Sequence, residues 1–304
     1  MNNPLVSVIL PTHNRAKFLR HAIRSVLAQT ERNIELFVVD DASTDETNVV
    51  LNQLACIDTR IKILRNTESL GGGGARNVGI AASSGEWVAF LDDDDEWVAT
   101  KLRSQLDELT ANSAAVACSC SYKLYYSSGS SKVVDPPENI TLNQLLRGNY
   151  LGGASMCMCS REALLGIGGF DEKFKSGQDW DFWVRLRQAG DIVVCKEPLV
   201  EYRNHDGVRI SNNMDAQYMG ARRFYFKHRK IMDESLQKFN VSYNCFIMSR
   251  QTKRRLSSRL RYLILSLRHS GYQVGSSYVL SSLPRLIRDC FGKFIRSTGK
   301  VNAP

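Results

Sequence analysis

Along the first hundred residues the hydrophobic pattern changes period repeatedly. Residues 5–10 form an apolar run closed by Pro11. Residues 16–29 place Phe18, Leu19, Ala22, Ile23, Val26 and Leu27 on one helical face. A second apolar run, 34–39, ends in Asp40 and Asp41, and the polar turn 42–45 opens a helix through about residue 54. Residues 61–64 read as a third strand. The glycines at 71–74 open a helix over about 75–82, and 86–91 read as a fourth strand. This alternation predicts an α/β fold, a mostly parallel central sheet with helices on both faces. In such sheets ligands bind at the carboxyl ends of the strands. The polar clusters fall there: Thr12 to Arg15, Asp40 with Asp41, and Asp92 to Asp95.

The middle of the chain is less regular. A helix over 101–109 precedes a strand over 114–126. The Ser/Gly-rich residues 127–131 and the pair Pro136 and Pro137 read as a surface excursion. A further helix spans about 179–188, and beyond 214 the chain is mainly helical and basic.

Composition narrows the class. At 43% hydrophobic and 23% charged, the 304 residues form a folded chain, not a disordered one. No run of 18 apolar residues predicts a membrane span. Residues 1–10 lack the pattern of a secretory signal, so a cytoplasmic location is expected. The i, i+2 pairs Cys118/Cys120 and Cys157/Cys159 lack the spacing of a zinc knuckle and read as buried apolar residues. The net charge of +9 is uneven. Residues 250–304 hold 12 Lys or Arg and one acid, Asp289, against 28 basic and 30 acidic residues elsewhere. A near-neutral body therefore carries a strongly basic tail.

Four clusters could carry chemistry. Asp92, Asp93, Asp94 and Asp95 end an apolar strand, where their mutual repulsion calls for a cation. The pleat sends Asp92 and Asp94 to one side, and hard oxygens suit Mg²⁺ or Mn²⁺. The bland alternative is a solvated loop or helix cap. Gly71 to Gly74 with Arg76 match neither a Walker loop nor G-x-G-x-x-G. They would still let a backbone approach an anion at a helix start, or form a plain turn with Arg76 in an ion pair. Asp179 and Asp181 begin a helix among aromatic residues, where burial raises a carboxyl pKa toward that of a base. At this spacing they diverge, so one faces a site; the bland alternative is that Asp179 caps the helix. His205 could bind metal or phosphate, or be structural.

Together these residues resemble the family 2 glycosyltransferases with the GT-A fold. The resemblance covers about residues 5–213. It rests on 6–15, 39–45, 73–80, 90–97, Gly169 to Asp171 and Gln178 to Asp181. It implies a GT-A catalytic domain over 1–213, with a nucleotide-binding part, 1–100, and an acceptor-binding part, 101–213. The basic helical extension spans 214–304. It implies a nucleotide-sugar donor, usually UDP-linked, and inverting transfer. Pro11, Thr12, His13, Asn14 and Arg15 would line the nucleotide pocket. Asp41, beside Asp40, would bond the uracil, and Gly74 and Arg76 would lie near base or diphosphate. Asp92 or Asp93 would contact the ribose. Asp94, with Asp92 and His205, would serve the metal, and Asp179 would be the base. Gln178 departs from the Glu that the family often carries.

The tail mixes Leu256, Leu260, Leu263, Ile264 and Leu267 with Arg255, Arg259, Arg261 and Arg268, and residues 283–295 repeat the mixture. Basic amphipathic helices lie on anionic membranes, so peripheral association with the inner face of the cytoplasmic membrane is expected. A helical cover for the catalytic domain is the alternative. A lipid-linked saccharide acceptor then follows from similar enzymes of bacterial surface polysaccharide assembly. Two rivals fit worse. A sugar-1-phosphate nucleotidyltransferase would place a Gly-rich loop after the first strand, where Pro11 to Arg15 has no glycine. A nucleic-acid partner is not expected, because the tail has few aromatics for base stacking.

Overall fold

A computed structural model describes residues 4–203, 213–250 and 256–269. They form two compact units, residues 4–174 with 178–203, and residues 175–177 with 213–250 and 256–269.

The first unit opens with β1 (Val6–Thr12), α1 (Ala16–Leu27), β2 (Ile34–Asp40), α2 (Thr47–Ala55), β3 (Ile61–Arg65), α3 (Gly71–Ala82) and β4 (Trp87–Phe90). It continues with β5 (Glu96–Trp97), α4 (Lys101–Ala111), β6 (Ala115–Tyr125), β7 (Ser131–Val134), α5 (Leu142–Arg147), β8 (Met158–Ser160), α6 (Arg161–Gly166), α7 (Gln178–Ala189) and β9 (Asp191–Arg203). The sheet runs β3-β2-β1-β4-β8-β6-β9-β5, with β7 on β6. β1 to β4 are parallel throughout. Beyond them β8 is antiparallel to β4 and β6, β6 and β9 are parallel, and β5 and β7 are antiparallel additions.

β1 and β2 are buried along their whole length, as strands covered on both faces must be. α1 buries Leu19, Ala22, Ile23 and Val26, a stripe at helical spacing. α3 packs closely on the sheet: a Cβ at Gly79 would stand 2.5 Å from Ile9 Cγ2. Pro11 lies inside β1 but past the last β4 pairing, at Ile9. Its missing N–H therefore faces a gap and costs no ladder bond.

The sheet order reverses at β1, with β2 and β3 on one side and β4 on the other. In open α/β sheets such a switch point is where ligands bind, here at the carboxyl ends of β1 and β4. An aromatic cluster ties α7 to it. Phe90 meets Phe170 and Phe182 edge-on at 5.2 and 5.7 Å, and those two rings stack at 4.2 Å.

Several local expectations shift. Glycines 71–74 form the first turn of α3 instead of preceding it. Part of the expected surface excursion is β7, a hairpin partner of β6. Cys118, Cys120, Cys157 and Cys159 are buried free thiols.

The second unit holds α8 (Met214–His228), α9 (Glu234–Arg250) and α10 (Leu256–His269). α9 and α10 are joined through Ser242, whose hydroxyl donates to the Ser266 carbonyl at 2.9 Å. Leu263 is buried here, and Arg259, expected on an exposed flank, is buried with Nε donating to the Ser249 carbonyl at 3.0 Å. Residues 283–295, expected to repeat the amphipathic mixture, lie outside the described residues.

Candidate active site

The polar ends of β1 and β2 are tied to each other. The Asp41 amide donates to the Thr12 carbonyl at 2.9 Å. His13 Nδ1 lies 2.6 Å from the Asp41 carbonyl, so this nitrogen carries the proton, and Nε2 accepts from Asn14 Nδ2 at 3.1 Å. Asn14 adopts φ 55°, which a short polar side chain tolerates. Its Oδ1 accepts from the amides of Thr44 and Asp45 at 2.8 and 3.2 Å. The Arg15 amide donates to Thr47 Oγ1 at 3.2 Å. Asp40 Oδ1 accepts from the Ser43 amide at 3.0 Å.

Asp41 is fully engaged by the protein. Oδ1 accepts from Asn66 Nδ2 at 2.8 Å and the Leu70 amide at 2.9 Å. Oδ2 accepts from Ser69 Oγ at 2.8 Å and the Gly71 amide at 2.9 Å. Burial opposes its charge, but these four donors outweigh burial and hold its pKa below the usual carboxylate value. A carboxylate offers about four acceptor directions, so a uracil would have to displace one of these donors. Asp41 thus anchors the glycine turn that starts α3. Within that turn Gly71 takes φ 76°. A Cβ at Gly74 would stand 2.5 Å from Leu70 Cβ, so the turn closes on glycine.

The end of β4 has few donors and many acids. Arg76, buried on α3, pairs with Asp92, donates to the Gly72 carbonyl at 3.2 Å and reaches Gln178 Oε1 at 3.5 Å. Its guanidinium lies 5.2 Å from the Phe170 ring centre, and its Nε has no hydrogen-bond partner. Asp93 accepts from Thr12 Oγ1 at 2.7 Å, directly across the switch point. Burial, opposed by the Thr12 bond but reinforced by the charges of Asp94 and Asp92, pushes its pKa up to about 7. Asp95 is set apart from the rim. It is buried and accepts from Ser155 Oγ at 2.6 Å, while the same hydroxyl accepts from the Asp92 amide at 3.0 Å.

α7 brings the remaining acids. Asp179 is half-buried, and its Oδ1, shielded from solvent, has no hydrogen-bond partner. Burial raises its pKa to about 6, against the pull of Arg76 and with a further push from Asp92. Asp181 points elsewhere, pairing with Arg185 Nε at 2.8 Å. Arg185 also donates to the carbonyls of Ile167 and Gly169 at 2.9 and 2.6 Å, so Asp181 fixes the loop under the site. Gln178 Nε2 donates to the Phe174 carbonyl at 2.8 Å. His205 lies outside the described residues. Ser155 and Asn66, which order the two acidic ends, carried no signal in the sequence beyond their polarity.

The donor set suits a divalent cation. Among the described residues no three of His, Cys, Asp and Glu converge closely enough to hold a metal alone. Yet burial, reinforced by the charges of Asp94 and Asp92, pushes the Asp93 pKa up to about 7, a cost that a cation would relieve. Mg²⁺ typically takes one or two carboxylates and completes its shell with substrate phosphates and water, which this cluster fits.

A sheet with this order, and acids gathered at its switch point, has the GT-A architecture of nucleotide-sugar-dependent transferases. The chain belongs to glycosyl transferase family 2, whose model matches residues 7–167, and it is a glycosyltransferase. It is 32% identical over 247 residues to the putative teichuronic acid biosynthesis glycosyltransferase TuaG of Bacillus subtilis (strain 168), covering 80% of this chain and 94% of that one. It is 33% identical over 195 residues to WfgD of Escherichia coli, a UDP-Glc:alpha-D-GlcNAc-diphosphoundecaprenol beta-1,3-glucosyltransferase, covering 63% and 73%. The crystal structure of S. aureus TarS 1-349 in complex with UDP-GlcNAc superposes with a TM-score of 0.69 at 19% identity, over 93% of this chain and 86% of that one. At that identity the likeness is one of fold.

Proposed function

We propose that this chain moves a sugar from a UDP-sugar to a hydroxyl of a lipid-diphosphate-linked saccharide during polysaccharide assembly, inverting the anomeric centre to leave a β-linkage. UDP-Glc, UDP-Gal and their N-acetyl derivatives are the candidate donors. The carrying observation is Asp179: a half-buried carboxyl with one buried, unpartnered oxygen, beside the Arg76–Asp92 pair at the switch point. The activity of WfgD, a UDP-Glc-dependent glucosyltransferase acting on a diphosphoundecaprenol-linked sugar, supports the donor and acceptor classes.

In this reading Pro11, Thr12, His13, Asn14 and Arg15 border the nucleotide, with Asp40, Asp41 and Gly74 shaping the wall behind it. Asp41 acts through the turn it anchors. Asp92 and Asp93 face the ribose side. Asp92 and Asp94, with His205, would hold Mn²⁺ or Mg²⁺ together with the donor phosphates. That ion would supply Lewis-acid stabilisation for the departing diphosphate. Asp179 Oδ1 accepts the acceptor hydroxyl's proton as its oxygen bonds to the anomeric carbon. The bond from that carbon to the β-phosphate oxygen breaks, and UDP leaves with the electron pair. One displacement on the face opposite the leaving group inverts the centre. Arg76 steadies the negative charge around Asp92 and the diphosphate.

The acceptor class brings with it a peripheral position on an anionic membrane. Among the described residues no helix is long and apolar enough to cross a membrane.

A donor screen tests the reading. The purified chain with Mn²⁺, a panel of nucleotide sugars and a GlcNAc-diphosphate-lipid analogue should release UDP from one donor and form a β-linked product. EDTA and Asp94→Ala should abolish release. An α-linked product, or release indifferent to both EDTA and Asp94→Ala, would overturn it.

A further inference from the structure

The exposed face of α8 is neither plainly polar nor plainly apolar. Asp215, Met219, Arg222, Phe226 and Arg229 recur at helical spacing and are exposed. Met219 and Phe226, seven positions apart on one face of the helix, are 55% and 51% exposed. Phe226 is held between two cations, with the Arg222 and Arg229 guanidinium carbons 5.6 and 5.3 Å from its ring centre. Lys227 and Lys230 are also exposed beside it. Asp215 is the one acid on α8.

A cavity of about 230 Å³ opens next to this stripe. Arg222 and Phe226 form part of its wall, and Tyr218, Tyr225, Val241 and Met248 line it further in. On α10, Leu260 and Ile264 are 41% and 52% exposed, with Arg261 exposed between them. Apolar side chains alternating with cations match the interface of an anionic bilayer, where rings enter the acyl boundary and guanidinium groups meet phosphates. A second copy of the chain fits poorly, since a symmetric contact would set Arg222 and Arg229 against like charges.

We propose that α8, with Phe226 inserted and the adjoining cavity receiving part of a lipid chain, is the surface through which the second unit docks on anionic lipid. This rests on the membrane association put forward above but assigns it to α8, which the hydrophobic pattern of the tail did not single out.

The test uses the full chain and phosphatidylcholine vesicles with and without phosphatidylglycerol. Phe226→Trp should bind the anionic vesicles, and its added emission should shift blue and be quenched by chain-brominated lipid. The joint variant Met219→Ser with Phe226→Ser should bind about tenfold more weakly or worse, with an unchanged circular dichroism spectrum. High salt should weaken binding. Binding of the full chain with no quenching of Phe226→Trp would overturn the α8 assignment and leave membrane association standing. No binding to anionic vesicles would overturn both and leave glycosyl transfer untouched. Self-association lost in the joint variant, without vesicle binding, would make α8 a contact between copies instead.

Discussion

β2 and β4 both run into adjacent aspartates at the carboxyl edge of one sheet, yet the two ends do opposite things. At the end of β2, Asp40 and Asp41 meet backbone and side-chain donors from the loops that follow. Their charge is consumed in holding those loops. At the end of β4, Asp92 and Asp93 receive one arginine and one hydroxyl between them, and burial, reinforced by like charges, pushes Asp93 toward neutrality. A carboxylate surrounded by N–H groups is scaffolding. Carboxylates short of donors form a site that wants a cation.

Removing the base gives the sharpest test of the second end. Asp179→Asn should lower kcat about 10²–10⁴-fold and leave UDP affinity near that of the parent chain, measured by calorimetry. Near-normal turnover would remove Asp179 from the chemistry. At the β2 end the response should be one of stability. Asp41→Ala removes the acceptor of four part-buried donors, and a hydrogen bond to a charged group contributes about 1.5–3 kcal/mol. The variant should therefore lose about 3 kcal/mol or more in denaturant unfolding. If Asp41→Ala unfolds like the parent while UDP binding collapses, Asp41 is a direct ligand and the contrast between the two ends fails.

This contrast was only half legible in the sequence. The parallel half was, because α1 shows its buried stripe plainly and β1 and β2 are unbroken apolar runs. The rest was obscured for identifiable reasons. β9 hides its strand character behind Lys196, Glu197 and Pro198, and a register shift against β6 at Ser121 absorbs the proline. β8 is three residues long and has no readable period. The glycines signalled a helix opening after them, but the helix begins on them, because the Asp41 carboxylate supplies the acceptor for the Leu70 and Gly71 amides at its start. Within the acidic run, no spacing rule separates Asp95 from its neighbours. Its buried bond to Ser155, sixty positions away, does. Asp179 and Asp181 were separable by helical geometry, but only the Arg185 pair says which one is structural.

Titration sharpens the assignment of Asp179. A base works in its deprotonated form. With its pKa raised by burial to about 6, that form dominates above pH 6 and falls about tenfold per unit below it. The acid limb of kcat should therefore bend near pH 6. Arg76→Lys keeps the charge but loses the planar fork that spans Asp92 and Gln178, so the bend should move. A limb that stays in place in this variant would uncouple Arg76 from the base.

The smallest expected effect lies at the opposite edge of the sheet, where Glu35 sits near the start of β2. Burial would raise its pKa. Instead Lys62 and Ser7 at 2.6 Å each, with the Ser84 amide and hydroxyl at 2.8 and 2.9 Å, lower it from 4.5 to about 2. A carboxyl with a lower pKa when folded binds protons more readily when unfolded. Its stabilisation is complete above about pH 4.5 and is lost as pH falls toward 2. Glu35→Gln removes that dependence, so its unfolding free energy should lie below the parent's near pH 6 and converge with it as pH approaches 2. Parallel curves across that window would mean that Glu35 holds the Ser84 turn by shape alone, like an uncharged acceptor.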